Sequence, residues 1–262
     1  MTLKEVSANV KNKTNKFWEI KASANKKEAD VFIYGEIVSG DKWDESDVSI
    51  TDFSKELDSL NSNVKNLNLY VNSPGGSVFT TVAMMSQLER AKQKMTINAY
   101  VDGVAASAAS FLIMAADNIY MYQNALLMIH KPMIGLVFGA NANVLREQAD
   151  WLDKIESSTC IPAYKSKGTD KLTNKVLSEF LGESDVWLDA YEASEYFRLE
   201  VLEETKDVAA CLDPKLLYGD IPKQINVKKS ISATEMAERK KIAEQAEANI
   251  KIREQILGGI YQ

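Results

Sequence analysis

The sequence contains very little histidine and very little cysteine. Its 262 residues include a single histidine, His130, and two cysteines, Cys160 and Cys211. The cysteines lie too far apart in sequence for the short ligand spacings of a zinc site, so we interpret them as free thiols, as expected in a reducing compartment. Any imidazole chemistry of this chain therefore depends on His130.

The sequence also lacks a long hydrophobic run and an excess of basic residues. Its longest apolar stretch, residues 104–116, is interrupted by two serines and is shorter than the roughly 20 residues of a membrane-spanning helix. Residues 1–30 are polar and Lys-rich, without the apolar stretch of a secretory leader. The net charge of −6 is opposite in sign to that of most nucleic-acid binders. We therefore predict a cytoplasmic protein with no nucleic-acid or membrane partner.

Strand and helix patterns alternate through the first 200 residues. Segments rich in β-branched and aromatic residues predict strands at residues 31–37, 67–71, 96–101, 119–122 and 126–129. Apolar residues at helical spacing predict helices that begin near residues 50 and 106 and span residues 78–91, 141–165, 174–181 and 190–197. This order predicts an α/β fold with right-handed crossovers.

The two ends of the chain differ in character from this central part. We predict an N-terminal arm or edge segment at residues 1–30 and a folded domain at residues 31–205. Residues 206–231 hold two prolines and a glycine without a clear period, which is typical of a linker. A Ser-Ala-Thr-Glu capping box then begins a charged helix in the tail, residues 232–262. Its sparse apolar positions favour a solvated tail, and a partner-binding or coiled-coil helix is the alternative.

Ser107 is the serine best placed to be activated by His130. It follows a predicted strand and the Asp102-Gly103 turn, and it begins a helix of very small residues. A serine needs a neighbouring base to become a nucleophile, and a helix N-terminus offers free N–H groups to an oxyanion. His130 ends an apolar strand, where open α/β sheets place reactive groups. The alternatives are a tightly packed helix start and a structural histidine.

The turn Asn72-Ser73-Pro74-Gly75-Gly76 is a second candidate element. Paired glycines after a strand let backbone N–H groups face a ligand without interference from a Cβ atom. The alternative is a plain turn between a strand and a helix.

Four segments, taken together and in order, resemble the ClpP peptidase family in its branch of phage head-maturation proteases. They are VNSPGGSV at residues 71–78, VDGVAASAASFLIMAAD at 101–117, LLMIHKP at 126–132 and DVWLDAYEASEYF at 185–197. The resemblance covers about residues 30–205. It implies a ClpP/crotonase-like α/β fold of repeated β-β-α units, in which residues 141–165 form a protruding handle helix, with the C-terminal charged helix added.

The resemblance also implies a site without a metal or organic cofactor. It assigns the nucleophile to Ser107, the base to His130, the orienting carboxylate to Asp185, and the oxyanion hole to the backbone amides of Gly76 and Ala108. Asp189 is a second carboxylate close in sequence, so the third member of the triad stays open between Asp185 and Asp189. The sequence departs from the family where Phe197-Arg198 replaces a usual glycine, which leaves the end of the last helix open.

The implied partners are further copies of the chain and protein substrates. The handle helix implies a ring-forming homo-oligomer with stacked rings, and the loop at residues 133–140 resembles the segment that pairs with a peptide substrate as an added strand. The phage branch implies capsid and scaffold proteins as substrates, in the host cytoplasm or procapsid. One alternative is a cellular subunit that works with an ATPase. Another is an assembly protein with an inactive protease core, and an acyl-CoA enzyme of the crotonase type is disfavoured because it has no use for the triad.

Overall fold

The computed structural model of the protein describes residues 17–22, 27–39, 50–60, 62–134 and 139–203. These residues belong to the first of two compact units, Met1–Pro222 and Lys223–Gln262. The predicted linker and charged tail, Cys211, and most of the predicted N-terminal arm lie outside the described residues. No helix within the described ranges is long and apolar enough to cross a membrane.

The described residues alternate between strands and helices. The strands are β1 (Trp18–Ala22), β2 (Glu28–Tyr34), β3 (Asn66–Ser73), β4 (Thr96–Ala106), β5 (Asn118–Tyr122), β6 (Leu126–Ile129), β7 (Val186–Asp189) and β8 (Glu200–Leu202). The α-helices are α1 (Ile50–Asp58), α2 (Val78–Ala91), α3 (Ala108–Leu112), α4 (Ala142–Ile155), α5 (Ile161–Lys167), α6 (Asn174–Phe180) and α7 (Ala190–Tyr196). A 3₁₀ turn, Ile113–Ala115, follows α3, and a π-helical segment, Glu156–Cys160, joins α4 to α5.

The strands form one sheet that branches at β4. Strands run in the order β1-β2-β3-β4-β5-β8, and all neighbours along this path are parallel except β1 and β2. The first part of β4, Asn98–Val101, pairs with β5, whereas its last residues, Val104–Ala106, pair with β6. Strand β6 in turn pairs with β7, antiparallel. The end of β4 therefore lies where the sheet changes partner, which is where α/β sheets open a crevice.

The two faces of the sheet have different chemistry. On one face, β2, β3 and β4 bury alternate aliphatic residues against apolar side chains of α1 and α2. On the other face, Asp30, Asn68, Asn98 and Asn118 form a hydrogen-bonded row, and Phe32, Tyr70, Tyr100 and Tyr120 form a stacked row. Because successive side chains of a strand point to opposite faces of the sheet, the same strands supply both the buried core and the rows on the other face.

The predicted α/β class is confirmed, but several predicted boundaries of strands and helices are wrong. The first strand ends at Tyr34, because Gly35 has a φ of +95° that breaks the extended backbone. Strand β4 continues through Asp102 and Gly103 to Ala106, since β6 supplies a new partner, and the helix begins at Ala108.

The long predicted helix at residues 141–165 is interrupted in the structure and ends two residues later. Pro162 has no N–H to donate to a carbonyl one turn earlier, and the helix widens to π geometry over Glu156–Cys160 before continuing to Lys167. Ile155 is the one buried residue of α4, so this helix is largely exposed.

Three short strands, β1, β7 and β8, were not predicted. Strand β1 is an antiparallel edge strand, so the sheet extends into the segment predicted as an arm or edge. At the other end, α7 stops at Tyr196, and Phe197 is fully buried in an extended conformation. The guanidinium of Arg198 donates to the carbonyl oxygens of Gly168 and Ser166. The helix therefore ends here without a glycine, because these contacts hold the next residues in place.

Candidate active site

Ser107 occupies the turn between β4 and α3 in a strained backbone conformation. Its φ of 52° and ψ of −124° make it the one non-glycine residue with positive φ among those described. Such a conformation costs on the order of 1–3 kcal/mol and persists only where the surroundings enforce it. Here the Ser107 amide donates to the carbonyl of Met128 at 3.0 Å, and the Ser107 carbonyl accepts from the amide of Ser110 at 2.9 Å.

His130 reaches Ser107 because their strands are neighbours. Ser107 directly follows β4 and His130 directly follows β6, and these two strands pair with Ala106 opposite Met128. The hydroxyl Oγ of Ser107 lies 2.6 Å from Nε2 of His130, which is 9% exposed. This distance is that of a strong hydrogen bond, so the imidazole is in position to accept the hydroxyl proton.

Asp185 lies on the opposite side of the same imidazole. Strand β7 begins immediately after it, and Val186 pairs with Ile129, the residue before His130. The Oδ1 atom of Asp185 is 3.2 Å from Nδ1 of His130. A carboxylate can only accept a hydrogen bond, so Nδ1 carries the proton and Nε2 is left as the acceptor facing Ser107.

Asp189, the other candidate carboxylate, has a different position and a different task. It lies at the far end of β7, paired with Leu126, and its side chain accepts a hydrogen bond from the amide of Glu192 at 2.8 Å. The Glu192 carboxylate accepts from the Asp189 amide at 3.0 Å, which completes a capping box at the start of α7. The structure thus brings Asp185, and not Asp189, to His130.

The glycine turn packs directly against the serine turn. Gly75 and Gly76 have φ of +90° and +135°, a region that favours glycine. A Cβ atom on Gly75 would lie 2.5 Å from the Ala106 carbonyl oxygen and 2.7 Å from the Ala108 nitrogen. The two turns therefore approach as closely as backbone allows, and this approach requires glycine at residue 75.

The amides of Gly76 and Ala108 both have the freedom to face a ligand. Ile37 donates to the carbonyl of Gly75 and accepts from the amide of Ser77, each at 2.7 Å, so the Gly76 amide between them points away from Ile37. Ala108 is the first residue of α3, where an N–H has no partner within the helix. Gly76 borders the same cavity as Ser107. An anion beside Ser107 Oγ could accept from both turns.

A cavity of about 220 Å³ opens beside these residues, and its wall is mainly apolar. It is lined by Glu36, Gly76, Val78, Ser107, Phe111, His130, Pro132, Met133, Cys160 and Tyr164. Burial raises the pKa of the Cys160 thiol to about 12, so this free cysteine stays protonated and acts as an apolar wall. The loop predicted to pair with a substrate, residues 133–140, is described only at its two ends.

Sequence reasoning missed three residues around the nucleophile. Ser110 and Tyr164 form a hydrogen bond beneath Ser107, and Cys160 lines the cavity. Ser110 carried a weak signal, since it interrupts a run of small apolar residues. Tyr164 and Cys160 carried none, because only the packing of α5 and the π segment under α3 brings them to the site.

The chain is similar to Clp proteases in sequence. The family model described as Clp protease matches residues 16–199. The ATP-dependent Clp protease proteolytic subunit of Streptococcus mutans is 28% identical over 158 residues, which are 56% of this chain and 72% of the relative. The ATP-dependent Clp protease proteolytic subunit 3 of Streptomyces coelicolor is 31% identical over 145 residues, which are 54% of this chain and 63% of the relative.

The fold is also shared with a solved member of this family. A ClpP1 mutant from Listeria monocytogenes superposes with a TM-score of 0.52 at 24% identity and covers 69% of this chain and 93% of its own. At this identity the likeness concerns the fold. The predicted ClpP-like architecture is therefore confirmed, and with a family match over most of its length the chain belongs to the Clp protease family.

Proposed function

We propose that the chain is a serine endopeptidase in which Ser107 is the nucleophile, His130 the general base and Asp185 the residue that orients the imidazole. The observation that carries the proposal is the pair of contacts on His130. Its Nε2 is 2.6 Å from the Ser107 hydroxyl, and its Nδ1 is 3.2 Å from the Asp185 carboxylate. A serine hydroxyl becomes a nucleophile when an imidazole accepts its proton and a carboxylate orients that imidazole, and these contacts have that order here.

In the proposed reaction, His130 takes the proton of Ser107 as the hydroxyl oxygen attacks the carbonyl carbon of a peptide bond. Asp185 stabilises the imidazolium that forms. The protonated His130 then gives its proton to the leaving amine, and an acyl-enzyme remains on Ser107. Water, deprotonated by His130, releases the acyl group and restores the serine.

The amides of Gly76 and Ala108 are the proposed oxyanion hole. Their two turns are in contact, and each amide is free of a partner within its own turn or helix for the reasons given above. Donors of this kind act on the charge that develops in the transition state, and the loss of one costs about 100-fold or more in rate. Because both donors are main-chain amides, the proposed hole does not depend on the side chain at Ala108.

Ser107→Ala tests the nucleophile. We expect peptide cleavage to fall to the limit of detection while the folded state and its assembly persist, because the Cβ and backbone are unchanged. A fluorophosphonate probe should label the wild-type protein and not the variant. Ser86→Ala, which alters an exposed serine of α2, is the matched control and should cleave like wild type. Near wild-type cleavage by Ser107→Ala would overturn the triad, and a wild-type protein that is neither labelled nor active would favour the inactive assembly protein.

We further propose that the substrates are capsid and scaffold proteins of a phage head, and that the protein acts as a ring-forming oligomer. The resemblance of the four motifs to phage head-maturation proteases supports this setting. The largely exposed helix α4 supports a contact with another copy. Incubation of the purified protein with capsid and scaffold chains, followed by mass spectrometry, should show defined cleavage sites that Ser107→Ala does not produce. Sedimentation should show an oligomer.

The second candidate setting is a cellular subunit that depends on an ATPase. The relatives in Streptococcus mutans and Streptomyces coelicolor carry the name ATP-dependent Clp protease proteolytic subunit, which supports this alternative. The two settings differ in their need for an unfoldase. Cleavage of a folded protein only when a Clp ATPase and ATP are added would favour the cellular role, and cleavage of scaffold chains without them would favour head maturation.

A further inference from the structure

A row of buried hydroxyl groups ends on the carbonyl oxygen of Ser107. The hydroxyl of Tyr164 lies 2.6 Å from Oγ of Ser110, and this Oγ donates to the Ser107 carbonyl at 2.6 Å. Ser110 is 0% exposed and Tyr164 is 1% exposed. Buried hydroxyls need partners within the protein, so the row is held together by its own members.

The direction of the row follows from counting protons. A carbonyl oxygen can only accept, so the single proton of the Ser110 hydroxyl goes to Ser107. The Ser110 oxygen is then available only as an acceptor towards Tyr164, which must be the donor. Burial raises the pKa of the Tyr164 hydroxyl, which keeps its proton in place at physiological pH. The row therefore runs from Tyr164 through Ser110 to Ser107.

The carbonyl at the end of the row belongs to the same peptide group as the Ala108 amide. A peptide group is planar, so fixing the direction of the Ser107 C=O also fixes the opposite direction of the Ala108 N–H. The carbonyl accepts two hydrogen bonds, from Ser110 Oγ at 2.6 Å and from the Ser110 amide at 2.9 Å. Hydrogen bonds accepted by a carbonyl polarise its peptide group and strengthen the N–H donor on the other side.

We propose that Ser110 and Tyr164 are positioning residues that hold the Ser107–Ala108 peptide plane, and with it the Ala108 amide, in the orientation required by the oxyanion hole. This inference rests on the proposed function, because it assigns Ala108 as an oxyanion donor. Ser107 has a strained backbone, and such a conformation persists only where neighbouring groups hold it, so the adjoining peptide plane depends on these hydrogen bonds.

Tyr164 is suited to anchor the row because its ring cannot move easily. The ring contacts Phe111 edge-on at 6.5 Å between centroids and Phe197 at 6.0 Å. Tyr164 lies on α5, which continues the helical run of α4 through the π segment. The two aromatic contacts therefore hold the Tyr164 hydroxyl in place towards Ser110.

The test compares Ser110→Ala and Tyr164→Phe with wild type on a fluorogenic peptide that the wild-type protein cleaves. An oxyanion donor acts on the transition state alone, so kcat should fall while KM stays within twofold. Complete loss of a donor costs about 100-fold or more. Because misorientation is a smaller defect, we expect about a 10-fold fall for Ser110→Ala and about 3-fold for Tyr164→Phe. The double variant should match Ser110→Ala, since the two residues act in series.

Two further measurements separate positioning from general damage to the fold. Binding of a peptide boronic acid, whose tetrahedral adduct on Ser107 resembles the transition state, should weaken in proportion to kcat/KM. The pH profile of kcat/KM should keep its wild-type midpoint, because neither residue contacts His130. Tyr196→Phe is the matched control, since it removes a hydroxyl from a tyrosine that packs on Phe180 away from the site.

Each result decides between the inferences. If Ser110→Ala and Tyr164→Phe match Tyr196→Phe in kcat and in boronic acid binding while Ser107→Ala is inactive, the positioning role is wrong and the triad stands. If Ser107→Ala retains activity, the proposed function fails first. A rise in KM with unchanged kcat would also overturn the positioning role, because it would assign Tyr164 to substrate binding from the cavity wall.

Discussion

The glycine turn and the serine turn, which are in contact at the site, both contain residues with positive φ but use different residue types. Each joins a parallel strand to a helix, and each needs positive φ: Gly75 and Gly76 after β3, and Ser107 after β4. Glycine adopts this conformation at little cost, whereas serine does so only under strain. A side chain is therefore present at positive φ at Ser107, where the proposed reaction uses it, and is absent at Gly75 and Gly76, where only the backbone takes part.

The two turns also differ in how they are held. In the glycine turn, the buried Ser73 hydroxyl donates to the Gly35 carbonyl at 2.6 Å and accepts from the Gly75 amide at 3.1 Å. In the serine turn, Met128 and Ser110 hold the backbone on both sides of Ser107. The glycine turn is thus held by the Ser73 side chain and by the backbone of Ile37, whereas the serine turn is held by the backbone of β6 and by the first turn of α3.

The largest effect is expected from loss of the carboxylate that orients His130, because the Ser107 hydroxyl then lacks a correctly placed base. Asp185→Asn should lower kcat by about 10⁴-fold, because the amide favours the wrong imidazole tautomer. Asp189→Asn should change kcat less than twofold, since asparagine caps a helix as well as aspartate does. Steady-state kinetics on the same peptide measure both. Equal losses, or the reverse order, would move the orienting role away from Asp185.

A smaller effect should follow from placing a side chain on the glycine turn. Gly75→Ala puts a Cβ atom 2.5–2.7 Å from the backbone of the serine turn, in addition to the strain of positive φ. We expect a loss of about 3 kcal/mol or more in the free energy of unfolding, together with loss of activity. Gly35→Ala is the control: its φ is +95°, but no atom lies within 4 Å of the new Cβ. It should cost only the backbone strain, about 1–2 kcal/mol. Equal losses in urea unfolding would show that the contact between the turns is loose.

The smallest effect concerns the strain at Ser107 itself. Ser107→Gly and Ser107→Ala both remove the hydroxyl, so both should be inactive. Ser107→Gly should be the more stable of the two by about 1 kcal/mol, because glycine relieves the positive φ and loses part of that gain through its greater freedom when unfolded. Urea unfolding of the two variants side by side measures the difference. If Ser107→Ala were the more stable, the turn would not be strained.

Much of the fold could be predicted from the sequence, and the failures share a cause. The bounds of α2 (Val78–Ala91) and β6 (Leu126–Ile129) were predicted to the residue, because each is set by local periodicity and by nearby turn residues. The end of β4, by contrast, depends on β6 as a second pairing partner. Strand β8 pairs with β5, about 80 residues earlier in the chain, and is only three residues long, which is too short for a recognisable alternation of apolar and polar residues.

The site shows the same division. Ser107 and His130 could be selected from the sequence, because the chain offers a single imidazole and only one serine follows a strand and opens a helix of small residues. Local sequence could not choose between Asp185 and Asp189, since Asp185 directly precedes the short strand β7 and Asp189 is its last residue. Pairing of β7 with β6 decides between their positions, because it puts one carboxylate beside the imidazole and the other at the start of α7.

The alternation of strands and helices, the α/β class and the choice of Ser107 and His130 could all be predicted from the chain's own residues, because these features depend on periodicity and on residue type. Three features depend instead on tertiary packing: the pairing of strands at the branch of the sheet, the contact of the glycine turn with the serine turn, and the hydrogen bonds that link Tyr164 to Ser107 through Ser110. Apart from the local hydrogen bond between Ser110 and Ser107, these contacts join residues about 20 to 55 positions apart, and pairing over such distances is set by the packing of the whole core rather than by any local preference.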